Sequence, residues 1–487
     1  MRALLRGSEL RVDEDPMSEL ERRRRSGDRL VLLAGLDAER TLYVTSRRDA
    51  PFEPLVAAGS QLPDASTLFP AAASYQTEAR ELWGTRFEGA ELDPDPDVRG
   101  VFRHQRVTSV GAVWGASEPL PLPAPRVAGE PVVRIPFGPV RDGTVESLLH
   151  RFHYLGEHIV ELEQQLGYKH RAVEVRLPRS TIEQLPVFAE RVSGPNGVAF
   201  ALATCQAVET ACGMTVSPRA DALRGIVAEL ERVYNHFRDI GRLVASTTLR
   251  VGAAQAHALQ ESTQRIGARL TGHRFLRGVV AVGGVRRDLD VSGLAREASR
   301  LEVDARAYFE ALEATELFID RLETTGVLGA ERALAWGAVG PVGRASGVSI
   351  DARRDAPYGA YRDQSFRVPV LEAGDALARF RVRCEEVLIS LYLIREFAET
   401  LPEGPVRVSA PSSLPDDALA LGWSEGVRGD VVALLATDRC GALSRAVLRG
   451  GSRHNWPLFP DTVHDSFLMD YAINEASWGL SVASHDR

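Results

Sequence analysis

The chain has 487 residues, 44% hydrophobic and 25% charged, a composition that excludes a disordered or fibrous protein and fits a globular one of roughly two to three domains. A formal net charge of −8 excludes the strongly basic footprint of a nucleic-acid binder. Four cysteines without a C-x-x-C pair (Cys205, Cys212, Cys384 and Cys440) point away from a disulfide framework and toward a reducing compartment.

Residues 1–20 read as irregular. Leu30 to Leu33 and Thr41 to Thr45 then read as two strands around a short loop, and Ala71 to Leu82 as a helix. These form a small α/β domain over residues 1–117. Residues 118–131 hold five prolines in fourteen positions, a semi-rigid linker. A second domain follows over 132–487. Leu148 to Leu166 alternates around Gly156 and predicts a hairpin. Cys205 and Cys212, seven apart in an apolar run, are expected on one side of a helix as small hydrophobes. Leu223, Ile226, Leu230, Val233, Phe237 and Ile240 mark the buried stripe of a long helix that starts at Pro218. Further long helices are expected near 253–270, 292–324 and 374–400. The fold class is α+β, with a mainly helical second domain and short flanking strands. Neither a signal peptide nor an uninterrupted apolar stretch of about 20 residues is visible. The chain is therefore expected to rest on a membrane protein rather than to span the bilayer.

Several short blocks are unusual. Gly138-Pro139 opens the second domain. Gly167-Tyr168-Lys169-His170-Arg171-Ala172-Val173-Glu174 follows the hairpin and contains the only lysine of the chain. Then come Glu190-Arg191-Val192, Ala207-Val208-Glu209, Glu229 through His236, Arg344-Ala345-Ser346-Gly347 with Asp351, Pro357-Tyr358 with Tyr361, Arg428-Gly429-Asp430, and Asp486-Arg487. In this order they resemble the 49-kDa-type subunit of complex I and the large subunit of group 4 nickel–iron hydrogenases, including formate hydrogenlyase. The resemblance covers about residues 131–487. Glu78-Ala79-Arg80-Glu81-Leu82-Trp83-Gly84 with Phe87-Glu88-Gly89 is similar to the 30-kDa-type subunit, so the order is that of a fused 30-kDa/49-kDa chain.

The resemblance implies four thiolates for a nickel–iron centre, as two C-x-x-C pairs. Here Ser193 and Asn196 stand at the first pair, and Ser481 and Ser484 at the second. Hydroxyls and an amide are poor substitutes for thiolates, so the nickel–iron site is expected to be lost and no metal is expected on this chain. The chain also ends where a processed hydrogenase subunit would end. The quinone ligands of complex I fare no better: Val145 stands at the histidine position and Gly194 at the tyrosine position, and neither donates a proton. The block His170, Arg171 and Glu174 is retained. In relatives it faces the 4Fe–4S cluster of a small subunit, where a cation raises the cluster potential. Arg428 matches an arginine above the hydrogenase metals.

Blander readings stand beside these. His170, Arg171 and Glu174 suit a surface ion-pair network, and Arg428 a turn cap. His150, His153 and His158 alternate faces and cannot all converge on a metal. His236 suits a structural role, and Asp93, Asp95 and Asp97 a solvated loop.

The expected function is the large subunit of a membrane-associated, complex-I-like or formate-hydrogenlyase-like oxidoreductase. It would take part in electron transfer beside an iron–sulfur small subunit, on the cytoplasmic face of the cell membrane. Integral antiporter-like subunits are the expected membrane partners. The 4Fe–4S cluster belongs to the partner, and the cavity takes a quinone or another small redox molecule. The cavity candidates are Ser193, Asn196, Arg428, Ser481, Ser484 and His485. The alternatives are a non-catalytic scaffold of the same assembly, or an NADH–quinone oxidoreductase subunit with an altered quinone site.

Overall fold

The computed structural model describes residues 4–6, 12–13, 15–37, 39–47, 50–83, 85–88, 132–141 and 146–487. The proline-rich segment 118–131, the aspartates at 93, 95 and 97, and Val145 lie outside the described residues.

In the N-terminal part, the strands Arg29–Gly35 and Arg40–Arg47 pair antiparallel, as the sequence predicts. Ala50–Ala58 pairs antiparallel on the other side of Arg40–Arg47, and Val12–Asp13 adds a short parallel edge. The expected helix is Ala72–Trp83, which packs on Arg29–Gly35. The opening residues are more ordered than expected: Pro16–Arg25 is a helix with Asp15 as N-cap and a proline in the first turn.

In the second part, the hairpin Leu149–Leu155 and His158–Gln165 forms where Gly156 allows the turn, and Val133–Phe137 adds a third antiparallel strand. The central element is the Pro218–Ser246 helix, started by Ser217, whose hydroxyl accepts the Ala220 N–H. Its neighbours include the helices Arg250–Thr271 and Ala376–Glu399. The stretch expected as one helix over 292–324 is two, Leu294–Glu313 and Glu316–Leu322. Thr315 takes an extended conformation between them, with its hydroxyl turned back onto the Ala311 carbonyl. Cys205 is buried in the Gly197–Ala211 helix, whereas Cys212 sits at its C-cap and not on its face.

A sheet with no counterpart in the sequence reading joins the two parts. Ala418–Gly426, Gly429–Thr437 and Leu443–Arg449 run antiparallel, and the N-terminal strand Leu4–Arg6 pairs with the first of them. Arg29 reaches across from the N-terminal sheet to Asp430 at 2.5 Å, and Arg449 holds the same carboxylate at 2.8 Å.

Side chains from three of the blocks that carry the family resemblance, at 229–236, 344–351 and 357–361, join one buried polar network. Glu229 accepts hydrogen bonds from Arg353, Ser390, Tyr361 and Arg232 at 2.5–3.2 Å. Glu386 accepts from Arg344 at 2.8 Å and pairs with His236 at 2.8 Å, and Arg344 continues to Glu425 at 3.1 Å. His236 is thus a structural residue in the core, on a helix that is buried nearly all round. Such a network costs desolvation when it forms, and removing one partner strands buried charge. Glu229→Ala is therefore expected to destabilise the fold by about 3–5 kcal/mol, read from a denaturant midpoint. An unchanged midpoint would show that the charges are not mutually dependent.

Candidate functional site

Ser481 anchors the site. It is the N-cap of the short helix Val482–Asp486, and its Oγ accepts the Ser484 N–H at 3.1 Å. The same oxygen lies 3.0 Å from Ser193 Oγ and 3.0 Å from a Glu146 carboxylate oxygen. A carboxylate only accepts, so Ser481 donates to Glu146 and Ser193 donates to Ser481. One hydroxyl thereby joins three distant parts of the chain, and the two segments that the resemblance matches to ligand pairs meet. Glu146 also accepts the Ala483 N–H at 2.8 Å.

Asn196 acts through a turn. Its Oδ1 accepts the Val427 N–H at 3.1 Å, at the bend between Ala418–Gly426 and Gly429–Thr437. Gly451 presses on that bend, and a Cβ there would stand 2.1 Å from the Arg428 carbonyl oxygen. Arg428 projects from the bend. It donates to Asp239 at 3.1 Å and to the Gly479 carbonyl, while its Nη1 is buried without a partner. Burial pushes the Arg428 pKa down to about 10. Burial alone would push the Asp239 carboxyl up, but Arg238, Arg428 and Arg383 around it hold it well below the usual range.

These groups border a cavity of about 180 Å³ whose wall includes Arg141, Glu146, Arg238, Arg428, Glu475 and Ser481. A larger cavity of about 570 Å³, lined by residues such as Glu209, Arg362 and Trp423, lies elsewhere and includes none of the candidates. Ser193 and Asn196 act from behind the smaller cavity. Ser484 is buried with its hydroxyl unpartnered, closely opposed to Gly450. His485 faces Arg453, whose Nη1 donates to Nε2 at 3.1 Å; the ring proton therefore sits on Nδ1 and is given to Asp486 at 2.9 Å. Arg141, Glu146, Arg238, Asp239 and Glu475 were not singled out from the sequence. Only Arg238 and Asp239 carried a hint, one turn or less beyond the His236 block.

The block at 167–174 clamps the chain end. Asp486 accepts the backbone N–H groups of Gly167 and Lys169 at 3.0 and 2.8 Å, and its carbonyl accepts from His170 Nδ1 at 2.6 Å. Glu174 is buried and holds Arg487 at 3.0 Å, and Glu78 holds the same guanidinium at 2.7 Å. Arg171 is exposed and donates to the Val192 carbonyl. The hairpin histidines diverge: His150 meets Tyr471 at 2.7 Å, His153 meets Glu163 at 2.9 Å, and His158 is exposed beside Asp465.

A nickel–iron centre does not fit these donors. Ser481 Oγ already makes three hydrogen bonds, the Asn196 oxygen is committed to the Val427 N–H, and no thiolate stands at any of the four positions.

Residues 253–421 match the family model described as the respiratory-chain NADH dehydrogenase 49 Kd subunit. The D-type component of the NADH-quinone oxidoreductase of Clostridium beijerinckii is 30% identical over 355 residues, covering 72% of this chain and 96% of that protein. Formate hydrogenlyase subunit 5 of Escherichia coli is 30% identical over 344 residues, 69% of this chain and 60% of that one. Among solved structures, a chain of the membrane-bound sulfane sulfur reductase, an archaeal respiratory membrane complex, aligns with a TM-score of 0.69 and 26% identity, over 73% of this chain and 98% of that chain. A helical core around one long central helix is thus shared with a chain of an archaeal respiratory membrane complex. The chain belongs to the 49-kDa subunit family and is a complex-I-like oxidoreductase subunit. Among the described residues, no helix is long and apolar enough to cross a membrane.

The buried histidines fix a pH response. Burial pushes His150 and His485 down to about 4 and His454 to about 3. All three are neutral at pH 7 in both folded and unfolded chains. Below about pH 6.5 the unfolded chain protonates first, so stability is lost as pH falls from about 6.5 toward 4, by roughly 3 kcal/mol per histidine. His485→Asn, which can still accept from Arg453 and donate to Asp486, is expected to flatten this slope in denaturant titrations across that range. An unaltered slope would remove His485 from the account.

Proposed function

We propose that this chain works as the large subunit beside a 4Fe–4S small subunit, in an assembly seated on the cytoplasmic face of the cell membrane through integral antiporter-like subunits. Electrons pass from or to the partner cluster, and the chamber beneath Arg428 serves a small redox molecule without nickel. The observation that carries the reading is the meeting of Ser193 and Ser481 next to Arg428: the chamber stays closed and polar although its metal donors are gone. His170 and Glu174 anchor the 167–174 segment inward, which leaves Tyr168 and Arg171 exposed as a docking edge, with the Arg171 guanidinium held in place by the Val192 carbonyl. The exposed apolar strand Val133, Ile135 and Phe137 offers a second surface for a partner subunit. A quinone fits less well, since Gly194 brings no proton donor to the cavity edge.

A scaffold without chemistry is the second reading, favoured by the way Ser193, Ser481 and Glu146 satisfy one another. Arg171→Glu is expected to abolish co-purification of the iron–sulfur subunit, because a cation facing the cluster becomes an anion that repels it. Retained co-purification with an unchanged cluster potential would refute the docking role. If Arg428→Gln leaves electron transfer through the assembled complex intact, the scaffold reading replaces the redox one. Elemental analysis of protein made in a nickel-replete host should find no stoichiometric nickel; one nickel per chain would overturn the loss of the metal site.

A further inference from the structure

We infer that the cavity beneath Arg428 is a binding site for a small anion. Its wall and floor carry more positive than negative charge. Arg141, Arg238, Arg242 and Arg428 line it, against Glu146 and Glu475. Arg141 is neutralised by Glu475 at 2.6 Å. Arg238 and Arg428 share one carboxylate, Asp239, at 2.7 and 3.1 Å. Arg383, behind them, also leans on that carboxylate.

Arg242 lines the cavity half-buried and, among the described residues, makes neither an ion pair nor a hydrogen bond. Arg428 is 3% exposed, and its Nη1 has no acceptor. A buried guanidinium donor without an acceptor is costly, and a compact anion with several acceptor atoms relieves that cost at two arginines at once. Among the described residues, the four lining guanidiniums of Arg141, Arg238, Arg242 and Arg428 stand against the carboxylates of Glu146 and Glu475 in the wall and of Asp239 beside it, an excess of one positive charge. This excess, together with the unpartnered donors of Arg242 and Arg428, favours a compact anion over a neutral ring compound or a cation. The cavity volume of about 180 Å³ suits a tetrahedral oxyanion or a short dicarboxylate and is too small for a nucleotide. The inference rests on the chamber reading above for its place in the protein's function, but the binding is a property of this chain alone.

Calorimetric titration of the full-length chain with inorganic sulfate, in low-chloride buffer, tests it. One saturable site is expected, weakening as ionic strength rises. Arg242→Gln keeps the buried network intact and should weaken sulfate about tenfold or more, the loss of one charge-assisted contact. Arg265→Gln, at an exposed helix pair with Glu261, should bind as the parent does. Absence of saturable sulfate binding, or an affinity indifferent to Arg242→Gln, overturns the inference. The partner subunit plays no part in this titration, so sulfate binding can fail while co-purification succeeds, and the reverse.

Discussion

Arg487 is the residue on which the site's geometry hangs. Its guanidinium is buried between Glu78 of the Ala72–Trp83 helix and Glu174 of the 167–174 block. Glu78 also takes Arg453, so the same carboxylate ties a third segment. Taking these charges out of water is expensive, and only close pairing with both carboxylates offsets it. The consequence is positional. With Arg487 and Asp486 fixed, the Val482–Asp486 helix has one seat, and Ser481 at its start arrives against Ser193 and Glu146. The N-terminal part is therefore not a passenger. It supplies one wall of the clamp through Glu78, and a second tie through the Arg29 pairing with Asp430 beside the Arg428 bend.

Much of the helical architecture was legible because one-sided burial leaves a period in the sequence. The stripe from Leu223 to Ile240 and the face from Leu377 to Ile394 both emerged as helices. The sheet at 418–449 was not legible for the converse reason. Ala418–Gly426 is buried at every position, and Gly429–Thr437 at nearly every one, so alternation between faces disappears. The break at Thr315 was equally invisible, since one residue changing conformation leaves the apolar spacing intact.

The site was legible in outline only. Segment order and the four substituted ligand positions pointed to Ser193, Asn196, Ser481, Ser484 and Arg428, and these do gather in one region. Their individual roles could not be read. Ser193 and Asn196 stand behind the cavity as hydrogen-bonding supports, and Ser484 and His485 turn away from it. Which side a residue faces depends on the turn that carries it, and the Arg428 bend is shaped by Gly451 from another part of the chain. Arg141 and Glu146 were silent because lone charges in a loop have no period and no motif.

The serines and the asparagine at the positions that the resemblance matches to metal ligands have a structural logic of their own. A metal centre with four thiolates would clasp the two segments through coordinate bonds. Here Ser481 does that work by accepting from Ser193 and from its own helix while donating to Glu146. Each such bond contributes about 1 kcal/mol net, far less than a metal would. The remainder has to come from elsewhere, and the Arg487 clamp lies one helix turn or so from Ser481. Closure of the chamber thus rests on ion pairing at its rim. A chamber held from the rim keeps its interior free, and the interior side chains left without full partners are the guanidiniums of Arg242 and Arg428. That is why the electrostatic character of the cavity is the better guide to what enters it.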